Sequence, residues 1–392
     1  MKKMIFGIIL AFFAASCDSY EDEYIEVSKF PKYSWTAAVD SSTIAFVNKY
    51  WNTTYHCFNN TFEGEIGQYD YWPEAHALDV VVDAYLRTND NTYKQVIYDW
   101  YDGVKAKNGV ANNWRNSYYD DMGWHGLAHM RALEATGDTR FEESARNLWH
   151  WVTEGWTDYD GGGIQWRVGT DAESISKGLP ANGPACIIAA RRASKYPDEI
   201  VNGYTNTEWA RRIYEWMKYN RMVLPTGRIF ENFDNTNSDY SYDYGTFIGS
   251  AVELYNLTND KVYLNDALKA ANYHILHNIN SNNQVMRDFG EQTANGGGHD
   301  CNLFKGIFVR YFTILIQHPD TPEGDRKRFI NFLKNNANYL WTNGTQKIPT
   351  IKFSPTWWEI PTKDTWGDLR SAISAATTLE AVALLEKNGY LK

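Results

Sequence analysis

Two kinds of apolar segment alternate along the chain. One carries a single stripe: Tyr93, Val96, Ile97, Trp100 and Val104, then Phe141, Ala145, Leu148 and Val152, then Trp209, Ile213 and Trp216. Steps of three and four residues put such a stripe on one helix face. Glu142, Glu143 and Arg146 fall outside it and face water. The other kind is apolar nearly all round and rich in small residues, as in 123–135, 185–193, 245–254 and 372–385. A helix that is apolar on every side must be enclosed by protein. The pattern therefore predicts outer helices alternating with inner ones.

The junctions repeat as well. Thr88-Asn89-Asp90, Thr136-Gly137-Asp138 and Thr258-Asn259-Asp260 each close one helix and open the next. Asn or Gly suits a left-handed C-terminal cap, and Asp caps the following start. We read twelve helices, at about 40–56, 74–88, 92–106, 121–136, 139–152, 181–195, 206–219, 244–257, 261–277, 303–317, 324–341 and 366–387. Six outer–inner hairpins predict an all-α fold, a closed (α/α)6 toroid, in one domain over 36–392. An open solenoid would need polar caps at both ends, and none is evident. The segments entering the inner helices carry Trp72-Pro73-Glu74, Tyr118 to Asp121, 158–166, 240–244 and 296–300. In a toroid they meet on one rim, where function is expected.

The first residues stand apart. Lys2 and Lys3 precede a short apolar run, residues 5–13, and then Ala14-Ala15-Ser16-Cys17. The run is too short to span a bilayer. The succession resembles a bacterial lipoprotein signal, with 1–16 removed and Cys17 lipidated. Residues 17–35 form an acidic tether, with Glu21-Asp22-Glu23 at its heart. This resembles an export signal and places the protein as an outer-membrane lipoprotein, on the cell surface or the periplasmic face. The lipid would be its only membrane contact.

Composition narrows the partners. The net charge of −10 repels nucleic acid and uronic-acid polymers. A neutral polysaccharide or oligosaccharide is compatible with it. With 16 Trp and 27 Tyr, the chain has many flat faces on which sugar rings could lie. Cys57, Cys186 and Cys301 remain after Cys17, an odd number that gives no disulfide framework. His125 and His129 are one helical turn apart but lack a third ligand. Asp158-x-Asp160-Gly161 lacks the later acids of a calcium loop. No phosphate-cradling loop is present, so neither a metal nor a cofactor is expected.

The sharpest chemistry is Tyr118-Tyr119-Asp120-Asp121-Met122-Gly123-Trp124, which opens an inner helix. One Asp there would be an ordinary cap. Two adjacent acids oppose joint ionisation while the helix N-terminus favours the anion. That contest can leave one charged and one protonated, the pair that glycoside hydrolysis uses.

The run from Tyr119 to Trp124, followed by Leu127, Arg131-Ala132 and Thr136-Gly137-Asp138, resembles glycoside hydrolase family 76. Asp160-Gly161-Gly162-Gly163-Ile164-Gln165-Trp166, residues 242–249 and residues 304–310 are similar to further motifs of that family, in order. The second of these departs at Asp243-Tyr244, where Asn-Gln is common. The resemblance spans about 40–385. It implies a retaining endo-α-1,6-mannanase on an (α/α)6 fold, acting on α-mannan, with Asp120 as nucleophile and Asp121 as acid/base. Tyr119, Trp124, Trp166, Asn182, Tyr242, Asp243, Tyr244 and Lys305 are the expected sugar contacts, since their segments open inner helices. Bland roles compete at two of them: Asn182 as a cap and Lys305 as partner of a buried acid. The protein is expected to be a monomer. The rival readings are a non-catalytic glycan-binding lipoprotein, for which Asp120-Asp121 has no use, and a transglycosidase or lyase on the same toroid.

Overall fold

The computed structural model describes residues 34–61, 69–231, 239–289, 291, 300–361 and 368–391. Cys17 and the signal and tether around it lie outside these. Among the described residues are twelve α-helices, α1 (Trp35–Tyr50), α2 (Tyr71–Thr88), α3 (Asn91–Lys107), α4 (Tyr119–Thr136), α5 (Thr139–Glu154), α6 (Leu179–Lys195), α7 (Asn206–Arg221), α8 (Ser241–Thr258), α9 (Lys261–His277), α10 (Cys301–Gln317), α11 (Glu323–Thr342) and α12 (Leu369–Lys387). The even-numbered helices pack side by side in the order α2, α4, α6, α8, α10, α12 and back to α2. The odd-numbered ones lie outside. This is the closed (α/α)6 toroid that the alternation predicts.

The repeated junctions work as expected. Asn89, Gly137 and Asn259 adopt φ of 55°, 73° and 57°. Asp90, Asp138 and Asp260 then accept from the backbone N–H two residues on, at 2.8, 3.0 and 3.0 Å. Small residues bring the inner helices close together. At Gly245 a Cβ would stand 2.7 Å from the Phe308 Cα, so any side chain there would push α8 off α10.

Two expectations need correction. The first helix spans 35–50 rather than 40–56, because Ser34 caps it and the chain turns at Asn52. The Asn52 side chain accepts from the N–H groups of Thr54 and Tyr55, both at 3.0 Å, and closes a tight hairpin. That hairpin, 51–58, and three others at 200–205, 222–229 and 345–353 are strand pairs of two residues each, which helical periodicity did not reveal. Five inner helices, α2, α4, α6, α8 and α10, start two or three residues before their expected bounds, whereas α12 starts at Leu369, three after the expected 366, where Asp368 caps it.

The ends of the chain close the ring. Arg87 of α2 binds Glu380 of α12 at 2.8 Å and Asp40 of α1 at 2.7 Å, and Thr43 donates to Glu380 at 2.8 Å. The first backbone N–H groups of α1, Trp35 and Thr36, donate to the Glu386 carboxylate at 3.4 and 3.2 Å. Glu386 stands near the C-terminal end of α12. No described helix is long and apolar enough to cross a membrane.

Candidate active site

All six inner helices begin at one rim. There a cavity of about 520 Å³ opens, with Asp120 and Asp121 in its lining. Both acids lie in the first turn of α4. Trp124, one turn further along, also lines the cavity. The Trp166 segment is tied to the same turn: the Tyr119 N–H donates to the Trp166 carbonyl at 2.9 Å, and the Trp166 indole donates to Asp120 Oδ2 at 3.0 Å. The glycines before Trp166 make its path possible. Gly163 has φ +90°, and a Cβ there would meet the Trp216 ring at 2.6 Å.

The two carboxyls differ electrostatically. Burial pushes Asp120 up to about 7, although the Asp121 N–H and the Trp166 indole both favour its anion; nearby Glu231 raises it further. Burial also holds Asp121 well above the carboxylate range, helped by the charges of Asp120, Asp70 and Asp300. No hydrogen bond among the described residues favours the Asp121 anion. Of the two, Asp120 is therefore the one that ionises more readily, and Asp121 keeps its proton.

The other expected contacts divide. Trp124, Trp166 and Tyr242 line the cavity. Five do not, and direct sugar contact is corrected for each. Tyr119 turns inward against Gly155. Asn182 is fully buried, accepts from the Ile164 N–H at 2.8 Å and donates to its carbonyl at 2.9 Å, so it pins the loop that carries Trp166. Tyr244 is sealed between Tyr273 and His274. The Asp243 carboxyl is sealed too, without a hydrogen-bond partner among the described residues, and burial raises it well above its ordinary range. Lys305 is fully buried against Glu291 at 2.5 Å and the Pro355 carbonyl at 2.7 Å. All five sit in the same first turns as the cleft residues, but helical rotation sends them into the core.

Asp300 and Ile307 also line the cavity, inside a rim segment and a motif already singled out, but Asp70, Pro180, Glu231 and Arg370 escaped notice, because lone residues outside any motif gave no signal. The Tyr242 hydroxyl donates to Glu231 at 2.8 Å. Arg370 binds Asp300 at 2.9 Å and also Asp70. His125 and His129 lie in an aromatic stack with Trp100 and Trp114. His125 bonds the Tyr71 carbonyl and His129 bonds Ser144, at 2.8 and 2.7 Å. Cys57, Cys186 and Cys301 are free and buried.

The buried acids set a pH dependence. Glu74 and Asp288, like Asp120, are raised by burial, each to about 8. Such groups hold a proton when folded and lose it when unfolded, where their ordinary value is near ~4. Their stability contribution is full below that value and lost as pH rises through the folded value. His76, His125 and His274 act in the opposite sense, because burial pushes each down to about 3 and they take up protons on unfolding below ~6.5. Above that the acids act alone until about pH 8, where Lys177, pushed down to about 8 by burial, begins to act against them. The melting temperature is therefore expected to fall from about pH 6.5 to 8, and less steeply in Asp120→Asn. A calorimetric series showing a level or rising Tm over that range would contradict it.

A closed helical ring with paired acids in an aromatic-lined cavity at one rim is the arrangement of a glycoside hydrolase. The family model for glycosyl hydrolase family 76 matches residues 34–392, and the chain belongs to that family. An inactive variant of the α-1,6-mannanase of Salegentibacter sp. HEL1_6, with two consecutive aspartates replaced by alanine and α-1,6-mannotetrose bound, superposes with a TM-score of 0.80. It is 32% identical over 90% of this chain and 100% of its own. Of curated proteins, the mannan endo-1,6-alpha-mannosidase DFG5 of Candida albicans is 25% identical over 303 residues, 68% of this chain and 64% of that protein. The chain thus spans slightly less than two thirds of that relative.

Proposed function

We propose that the protein is an endo-acting, retaining α-1,6-mannanase whose nucleophile is Asp120 and whose acid/base is Asp121. One observation carries the reading: two consecutive carboxyls share the cavity, and of the two only Asp120 has donors among the described residues that favour its anion. Asp120 attacks the anomeric carbon while Asp121 gives its proton to the departing oxygen. A covalent glycosyl–enzyme forms. Asp121 then takes a proton from water, the water attacks the same carbon, and Asp120 leaves. The relative with both consecutive aspartates replaced is inactive and holds an α-1,6-linked oligosaccharide, which supports the same chemistry here. A cavity of about 520 Å³ lined by Trp72, Trp124, Trp166 and Tyr242 suits a neutral sugar chain. Incubation with linear α-1,6-mannan should release a ladder of oligosaccharides on chromatography. Mannose alone from the first minutes would refute endo action, and an untouched polymer would refute the activity.

The location follows from Cys17. The basic, apolar and small-residue succession before it supports a lipid anchor in the outer membrane. Cys17→Ala should move the protein from the membrane to the soluble fraction. Unchanged membrane retention would remove the lipoprotein reading.

A further inference from the structure

The ring order gives the cleft two unlike walls. On one side of α4 stand the entrances to α6 and α8. They bring Trp166, whose indole holds Asp120, and Glu231, fixed by the Tyr242 hydroxyl. On the other side stand the entrances to α2, α12 and α10. There Arg370 joins the α2 cap Asp70 to the α10 cap Asp300. Its guanidinium lies 5.5 Å from the centre of the Trp72 ring.

We infer that the cleft is directional: the glycone rests on the Trp166–Glu231 wall and the aglycone departs along the Trp72–Arg370 wall, so Trp72 and Arg370 select the aglycone. The inference rests on the double displacement proposed above. In that reaction the two acids serve opposite ends of one bond. The nucleophile meets the anomeric carbon, which belongs to the glycone. The acid meets the oxygen, which leaves with the aglycone.

The structure separates those ends. Asp120 is held toward Trp166 and has Glu231 as an acidic neighbour. Asp121, one residue on, is turned ~100° around the helix. Apart from Asp120, the acids that act on it are Asp70 and Asp300, which Arg370 ties together. The protonated oxygen therefore lies toward Arg370. The walls also differ in chemistry. Glu231 presents a carboxylate, an acceptor for glycone hydroxyls. Arg370 Nη1 faces Asp368 Oδ1 at 3.9 Å, beyond hydrogen-bond reach, and makes no hydrogen bond among the described residues, which leaves a donor for an oxygen of the leaving sugar. Trp72 adds a flat face beside it.

The test compares kcat/KM on two substrates, α-1,6-mannotetraose and 2,4-dinitrophenyl α-1,6-mannobioside. The second has a sugar glycone and an aryl aglycone that leaves without sugar contacts. Trp72→Ala and Arg370→Gln should each lose roughly tenfold more on the tetrasaccharide than on the aryl substrate. Glu231→Gln should lose the same factor on both, within about threefold. If Arg370→Gln fails to fold, Trp72→Ala carries the comparison. Equal losses in the Trp72 and Arg370 variants would overturn the direction alone, and a loss on the tetrasaccharide only in Glu231→Gln would reverse it. A wild type inactive on both substrates would overturn the mannanase reading and the direction with it.

Discussion

Asp120→Asn is expected to fold normally and lose roughly 10⁴-fold or more in kcat on α-1,6-mannan, because no nucleophile remains to form the intermediate. Asp121→Asn should lose about 10²–10⁴-fold, the usual worth of a positioned acid/base. The two losses should differ in kind. In Asp121→Asn, a substrate with an activated aryl leaving group should recover much of the first step, which then needs no proton. Added azide should then yield an α-mannosyl azide, because it attacks the intermediate without a general base. Asp120→Asn should give no such product. During early hydrolysis by the wild type, proton NMR should show the α-anomer first, as two inversions restore the starting configuration. The β-anomer first would exclude double displacement, and full activity in both Asn variants would exclude the pair from catalysis. Both replacements relieve a buried acid and should not lower the melting temperature at pH 8, so lost activity cannot be put down to unfolding.

The second large effect is structural. Lys305 lies within a motif shared with the family, yet its ammonium is sealed against Glu291 and sits 4.6 Å from the centre of the Trp357 ring. Lys305→Met should destabilise the fold by ~3–5 kcal/mol, because a buried carboxyl loses its counter-charge. Glu291 is already raised by burial, and Lys305 is the main influence pulling it down. Without the lysine it should take up a proton, which makes the loss larger at alkaline pH. A urea midpoint within error of the wild type, combined with weaker substrate binding, would return Lys305 to the sugar-contact role expected from its motif.

The toroid was legible because its signal is redundant. Enclosed helices, striped helices and capped junctions each recur, and each points to the same alternation. The four strand pairs were not legible, since two residues carry no period. Asp120 and Asp121 stood out because two adjacent charges at an enclosed helix start demand an explanation. Tyr244 and Asn182 were misplaced for the opposite reason. A motif names a segment, but neighbouring positions in one helical turn differ by ~100°, so half of a functional segment faces the core. Glu231 and Arg370 were invisible because each is a lone charge, brought to the rim only when the ring closes.

The seat of α1 on Glu386 has a consequence for access. From Leu369, beside the cleft, to Glu386 is 17 residues of helix, which spans about 25 Å at 1.5 Å per residue. The polypeptide therefore enters the ring at its base, with the full height of the barrel between that entry and the catalytic mouth. Residue 34 thus stands at the opposite end of the inner helices from Asp120 and Asp121, which open α4 at the rim.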